Sequence, residues 1–262
     1  MDSRTYCVTH NSTVTKLYGG QNIIWWEPTG GDSRTKFIYQ EGQSTLAIYG
    51  KEWAGVDRET GKNVWFMNND NTTSQPTTVD GRPATFRHQD ASEKILGDIH
   101  PKLYGGINTN VSWKGIDVGL NFTYRIGGYT YDAAGRDIND DGYYWERIMS
   151  KDAYDNRWTP ENKDAKYPMR IAIDLTDVLQ RSSRWMNKAD YIRLKSINVG
   201  YTLPKNIVNK VNISSARVYF NGMNLWTWAA NDIYDPEVNE YGSRGFETPI
   251  GKTYTFGVEF SF

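Results

Sequence analysis

The last nine residues, Tyr254-Thr255-Phe256-Gly257-Val258-Glu259-Phe260-Ser261-Phe262, alternate apolar and polar without a break. Side chains on a strand point to opposite faces with period two. Tyr254, Phe256, Val258, Phe260 and Phe262 therefore share one face, and Thr255, Gly257, Glu259 and Ser261 the other. The sequence stops on the strand itself rather than on a polar tail. That ending fits a strand that has to close a membrane barrel, with its greasy face turned to lipid.

The same alternation recurs upstream. Ile116, Val118, Leu120, Phe122, Tyr124 and Ile126 interleave with Asp117, Gly119, Asn121, Thr123 and Arg125, about the length of a tilted bilayer crossing. Ile107, Thr109, Val111 and Trp113 alternate just before it, and Lys114-Gly115 predicts a tight hairpin turn. A second hairpin is expected over Tyr191–Leu203 and Ala216–Leu225, with one turn of helix in the link Pro204–Lys210. Tyr6–Leu17 and Ser44–Tyr49 are weaker strand candidates. In all, six or seven long antiparallel strands are expected, separated by long polar connections over Gly50–Leu103, Gly127–Asp190 and Trp226–Lys252. Alternating short and long links suit an outer-membrane barrel, with short periplasmic turns and long external loops.

Composition sets the limits. The 262 residues carry a formal net charge of -1, which gives no footprint for nucleic acid. Aromatic residues reach 14%, with 10 Trp and 18 Tyr against only 38% hydrophobic residues, a density that fits interface girdles or sugar-stacking surfaces. No stretch approaches the about 18 consecutive apolar residues of a transmembrane helix. Cys7 stands alone, which rules out an internal disulfide, and His10, His88 and His100 show no ligand spacing. Met1-Asp2-Ser3-Arg4 has no apolar core of a signal peptide.

Seven blocks carry a family resemblance. Gly50–Gly61, reading GKEWAGVDRETG, Gly97–Gly106, reading GDIHPKLYGG, and Arg157–Asn162, reading RWTPEN, are followed by Ser182-Ser183-Arg184, Asp190–Lys195, Gly200–Pro204, and Asn224-Leu225 with Asp235-Pro236-Glu237. In this order they resemble the C-terminal part of SusC/RagA-type TonB-linked outer-membrane transporters of Bacteroidetes-type bacteria. The resemblance spans residues 11–262 and leaves 1–10 as a poorly matching stretch. Signal peptide, TonB-contacting segment and plug are not recognised, so a fragment of a larger transporter is expected. The resemblance implies import of oligosaccharides or peptides and a SusD-like lipoprotein as external lid. It also implies energy from TonB–ExbB–ExbD through the missing N-terminal part. Tyr254, Phe256, Val258, Phe260 and Phe262 then become the signal read by the outer-membrane assembly machinery.

Several local motifs admit a functional and a plainer reading. Asp137-Ile138-Asn139-Asp140-Asp141-Gly142 resembles the first half of a calcium loop, with oxygen donors at Asp137, Asn139 and Asp141. Position twelve is Ile148, so a solvated turn is the competing reading, and Ca²⁺ is the metal that an all-oxygen set would choose. Tyr143, Tyr144 and Trp145 are candidate substrate contacts in the longest external loop, against a role in loop packing. Trp226 and Trp228 suit a membrane-interface girdle. Asp235 with Glu237 could mimic a glycosidase carboxylate pair, but a loop-fixing role fits better, and no G-x-S-x-G elbow occurs.

The sequence therefore predicts an all-β, antiparallel transmembrane β-barrel segment, a partial barrel seen as an open curved sheet with long extracellular loops. It predicts a transporter without catalytic residues or cofactor, apart from the calcium question. The alternative is a soluble β-rich carbohydrate-binding module.

Overall fold

A computed structural model describes residues 2–28, 35–139, 141–143, 146, 148–172, 181–208, 213–231, 235–238, 241–244 and 248–262. Six strands form one antiparallel sheet: β1 (Asp2–Val8), β2 (Leu103–Trp113), β3 (Ile116–Ile126), β4 (Tyr191–Thr202), β5 (Ser215–Ala229) and β6 (Thr253–Ser261). They lie side by side in chain order, and β1 and β6 are the two edges, so the sheet is open. β2 and β3 coincide with the sequence-predicted hairpin. At its tip Lys114 (φ 47°) and Gly115 (φ 86°) both take left-handed backbone, the geometry whose twist matches paired strands. The link from β4 to β5 contains the expected helical turn, Lys205–Val208. The 1–10 stretch set apart in the sequence contains a strand, β1, which pairs from Asp2↔Asn110 to Val8↔Tyr104.

Register fixes two faces. Directly paired residues share a face, so Phe122, Leu194 and Trp226 line up across β3, β4 and β5, as do Val118, Val199, Phe220 and Phe256 across β3 to β6. The opposite face carries Asn108, Asn121 and Ser196 in one row and Asn110, Gly119, Asn198, Asn221 and Thr255 in another. The apolar phase of β4 changes from even numbers (Ile192, Leu194) to odd (Ile197, Val199, Tyr201), and a bulge at Lys195 absorbs the change. Without it half of β4 would turn its hydrophobic set to the polar side.

Among the described residues, none packs over the apolar face. Trp113, Val218, Trp226, Trp228 and Val258 are exposed, and Phe256 is 79% exposed. A soluble sandwich would bury these side chains under a second sheet. Here the buried clusters lie in the loops instead. Residues 9–102 carry two four-stranded sheets. In the first, Ile23–Trp26, Lys36–Tyr39, Ala47–Lys51 and Glu93–Asp98 surround a core of Phe37, Ile48 and Ile99. The second consists of Trp53–Val56, Asn63–Phe66, Arg82–Thr85 and Pro76–Val79. A smaller sheet joins Tyr129–Asp132 to Met186–Lys188 and, in parallel, to Ser243–Arg244. No described helix is long and apolar enough to cross a membrane, whereas strands of 11 and 12 residues, such as β3 and β4, are long enough to do so.

Candidate functional site

The polar face of the sheet is the first element of the site. Near the short-turn end, the Arg217 guanidinium on β5 donates to Asp117 on β3 over 2.7 Å. The intervening strand β4 allows this reach because it has Gly200 there. A Cβ at Gly200 would lie 2.4 Å from Arg217 Nη2 and 2.6 Å from Asp117 Oδ1. Glu259 on β6 joins at 3.6 Å. Three strands are thus tied by charge on the polar face, flanked by a field of asparagine amides.

At the opposite end the long loops are fastened to the wall. Arg193 on β4 donates to Asp235 Oδ1 at 2.7 Å, and both side chains are 4% exposed. Asp235 also accepts the backbone N–H groups of Glu237 and Ile250. Burial opposes ionisation of Asp235, but these two amides and Arg193 outweigh it and hold the carboxyl below its ordinary range. Lys195, placed at the bulge, bonds Glu237 at 2.9 Å. The Asp235-Pro236-Glu237 carboxylates are therefore loop anchors, as the sequence reading favoured. A glycosidase pair instead needs carboxyls left free to face a sugar.

Two distant sequence blocks meet outside the wall. The Trp158 indole packs on Gly61 (φ 70°), where a Cβ would come within 2.5 Å of the ring, and Trp158 Nε1 donates to the Arg58 carbonyl at 2.9 Å. Met169 N–H donates to the Gly61 carbonyl, and Lys163–Glu59 and Arg58–Asp164 pair across the same contact. The GKEWAGVDRETG and RWTPEN segments are thus one packed unit. Asp152 belongs to this region: hydrogen bonds from Lys166 and Tyr167 keep its carboxyl low.

Two cavities open beside these anchors. One, of about 790 Å³, is walled by Tyr104, Thr123, Arg125 and Tyr191 and roofed by His100 and Tyr241. The other, of about 970 Å³, lies between the 127–190 loop and the end of β5, with Tyr129, Asn139, Ser150, Asn187 and Asn231 in its lining. The sequence did not single out these linings, because each draws on loops far apart in the chain.

The sequence-predicted residues fall as follows. Asp137 pairs with Arg136 at 3.1 Å, and Asn139 accepts from the Ser150 hydroxyl at 2.6 Å. Asp141 is held by both Nη atoms of Arg184, with Nη2 at 2.7 Å, and receives the Asn63 amide. The expected turn is present, with Asp141 (φ 53°) and Gly142 (φ 105°) in left-handed backbone. It is not solvated, however, since Asp141 is only 5% exposed: its pair with Arg184 ties the turn to the Ser182-Ser183-Arg184 block. Among the described residues, no group of three or more His, Cys, Asp or Glu converges as a metal site. Tyr143 is half-buried, while Asp140, Tyr144 and Trp145 lie outside the described residues. Trp226 and Trp228 stand on the apolar face as a girdle requires. Elsewhere in the loops, Trp25 stacks on Phe37 at 4.6 Å and Trp65 meets His88 edge-on at 5.3 Å, so both indoles belong to the loop core. Tyr254, Phe256, Val258, Phe260 and Phe262 are exposed together at the sheet edge.

No protein-family model matches the chain. Among curated proteins it is similar to TonB-dependent receptor P3 of Formosa agariphila, 27% identical over 247 residues, which are 86% of this chain and 23% of that protein. It is also similar to TonB-dependent receptor P26 of the same organism, 27% identical over 64% of this chain and 18% of that protein. Among solved structures it resembles the RagAB peptide importer in the closed-closed state, with a TM-score of 0.77 and 25% identity over 99% of this chain and 27% of that one. The RagAB peptide transporter gives 0.74 and 24% over the whole chain. The chain spans about a quarter or less of the length of these proteins. In block order, in the open antiparallel sheet and in these likenesses, the chain is similar to the SusC/RagA-type TonB-dependent receptors.

Proposed function

We propose that the chain forms wall and external loops of an outer-membrane transporter that imports oligosaccharides or peptides. The observation that carries this reading is the two-faced open sheet: an uncovered apolar face against a face of amides and one charge cluster. Lipid fits the first face and a water-filled or plugged lumen the second. The likeness to the RagAB peptide importer supports the uptake class. In this reading a SusD-like lipoprotein covers the external loops, and TonB–ExbB–ExbD drives transport through parts of the protein outside this chain. Tyr143, Tyr144 and Trp145 contact substrate, and the apolar residues of β6 are read by the assembly machinery. The role is transport, without catalytic groups.

The test is an uptake assay in an outer membrane carrying the full transporter, using fluorescent oligosaccharides and peptides with and without an intact TonB system. TonB-dependent accumulation supports the reading. A chain that is monomeric, compact and soluble without detergent contradicts it and favours the carbohydrate-binding module.

A further inference from the structure

The cavity of about 790 Å³ against the polar face is lined by aliphatic residues such as Leu46, Ile99 and Val238 together with tyrosines, histidines and Arg125. It falls within the range of ligand sites. Among the described residues its lining includes no Asp, Glu or Lys, and Arg125 is its only arginine. Around Arg125 stand Tyr6, Tyr104 and Tyr191 with the ring-contacting pair His10 and His100, whose centroids are 4.6 Å apart. Burial first, then neighbouring His10 and Arg125, push the His100 imidazole below its ordinary pKa despite Asp98, so at neutral pH that imidazole is uncharged. Arg125 gives Nη2 to the Ile99 carbonyl at 2.5 Å, and its Nε is buried without a hydrogen-bond partner. The two nearby acids are turned to backbone amides, Asp98 to His100 N–H and Asp190 to Gly127 N–H. Arginine only donates, and tyrosine hydroxyls and imidazoles can all donate. A lining of donors and aromatic faces with no carboxylate suits a ligand rich in acceptors that also offers a surface to stack.

We propose that this cavity is a subsite for a carboxylate-bearing unit of the transported ligand, held at Arg125 and stacked against the tyrosines. The inference rests on the uptake reading and sharpens its substrate. The shared chemistry is the carboxylate, carried either by an acidic sugar or by the C-terminus of a short peptide.

The test measures binding to the protein in LDAO micelles at pH 7.5 by thermophoresis, with two matched pairs of probes. One pair is trigalacturonic acid and its methyl ester; the other is Gly-Gly-Phe and its C-terminal amide. A free acid that binds at least about tenfold tighter than its neutral partner supports the subsite, because that ratio is the size of one charge-assisted hydrogen bond. The pair that shows the preference identifies the source of the carboxylate. Arg125→Gln should erase the preference, with unchanged heat-modifiability on gels as the check of folding. Equal binding of acid and neutral probes overturns the inference and leaves uptake standing. Absence of binding by all four probes also overturns it, and the uptake assay then judges the transporter reading by itself.

Discussion

Arg193 on the barrel wall and Asp235 in the last long loop form a fully enclosed ion pair, 2.7 Å apart with both side chains 4% exposed. Asp235 gathers two backbone amides as well, so the pair ties the 230–252 loop to β4. Removing Asp235 leaves the buried Arg193 with only the longer contact to Glu237 at 3.3 Å, and breaking a buried pair in this way costs up to about 3–5 kcal/mol. Asp235→Ala should therefore release this loop to trypsin and lower the unfolding midpoint in detergent. Arg193→Met combined with Asp235→Leu should recover part of the loss. Equal protease resistance of wild type and Asp235→Ala would refute the anchoring role.

Gly61 admits no side chain for two reasons. Its φ of 70° costs other residues about 1–2 kcal/mol, and a Cβ would strike the Trp158 ring. Gly61→Ala should destabilise the external loops by about 2 kcal/mol or more, read as earlier proteolysis within 50–170. The same change at Gly42, which also has positive φ but open space around it, should cost only the backbone share, about 1 kcal/mol. Similar effects at both positions would remove the Trp158 contact from the account.

His88 is half-buried against Trp65, and desolvation there, reinforced by Lys51, lowers its pKa to about 4. The unfolded state, with a pKa near 6.5, then takes up a proton that the folded state refuses. Stability of the external module should fall as pH drops from about 6.5 to about 4 and change little from this source above pH 7. His88→Gln should flatten that part of the profile in a thermal-shift series. An unchanged slope in the variant would assign the pH dependence elsewhere.

Calcium should have little to bind at the Asp137–Gly142 turn. Arg184 occupies the Asp141 carboxylate, Arg136 pairs with Asp137, and Ser150 takes Asn139. A millimolar addition of Ca²⁺, or of EDTA, should leave the melting curve in place. A calcium-dependent rise of several degrees would restore the metal reading.

Wall and loops were unequally legible in the sequence. β3 could be read to the residue, because each side chain of Ile116–Ile126 obeys one period and the turn before it is two residues long. β1 was obscure: its outward positions are Ser3, Thr5 and Cys7, and its larger apolar residues Tyr6 and Val8 face inward, so no lipid-type pattern marks it. The bulge in β4 announced itself only as a change of apolar parity at Lys195. The Gly61–Trp158 contact and the Arg125 cavity join residues about a hundred apart or more. Motif order placed both blocks in the loops, but pairing across that distance leaves no periodic trace. The same applies to Asp141, an acid in a turn motif whose partner Arg184 lies 43 residues on.

In the proposed transporter one face of the sheet meets lipid and the other water. Single cysteines placed along β6 from Thr253 to Ser261 in a Cys7→Ser background, spin-labelled and reconstituted in bilayers, test it directly. Collision with oxygen, which partitions into lipid, should peak at 254, 256, 258 and 260. Collision with a water-soluble nickel chelate should peak at 255, 257, 259 and 261. Uniform access of the nickel chelate to both sets would contradict the membrane wall.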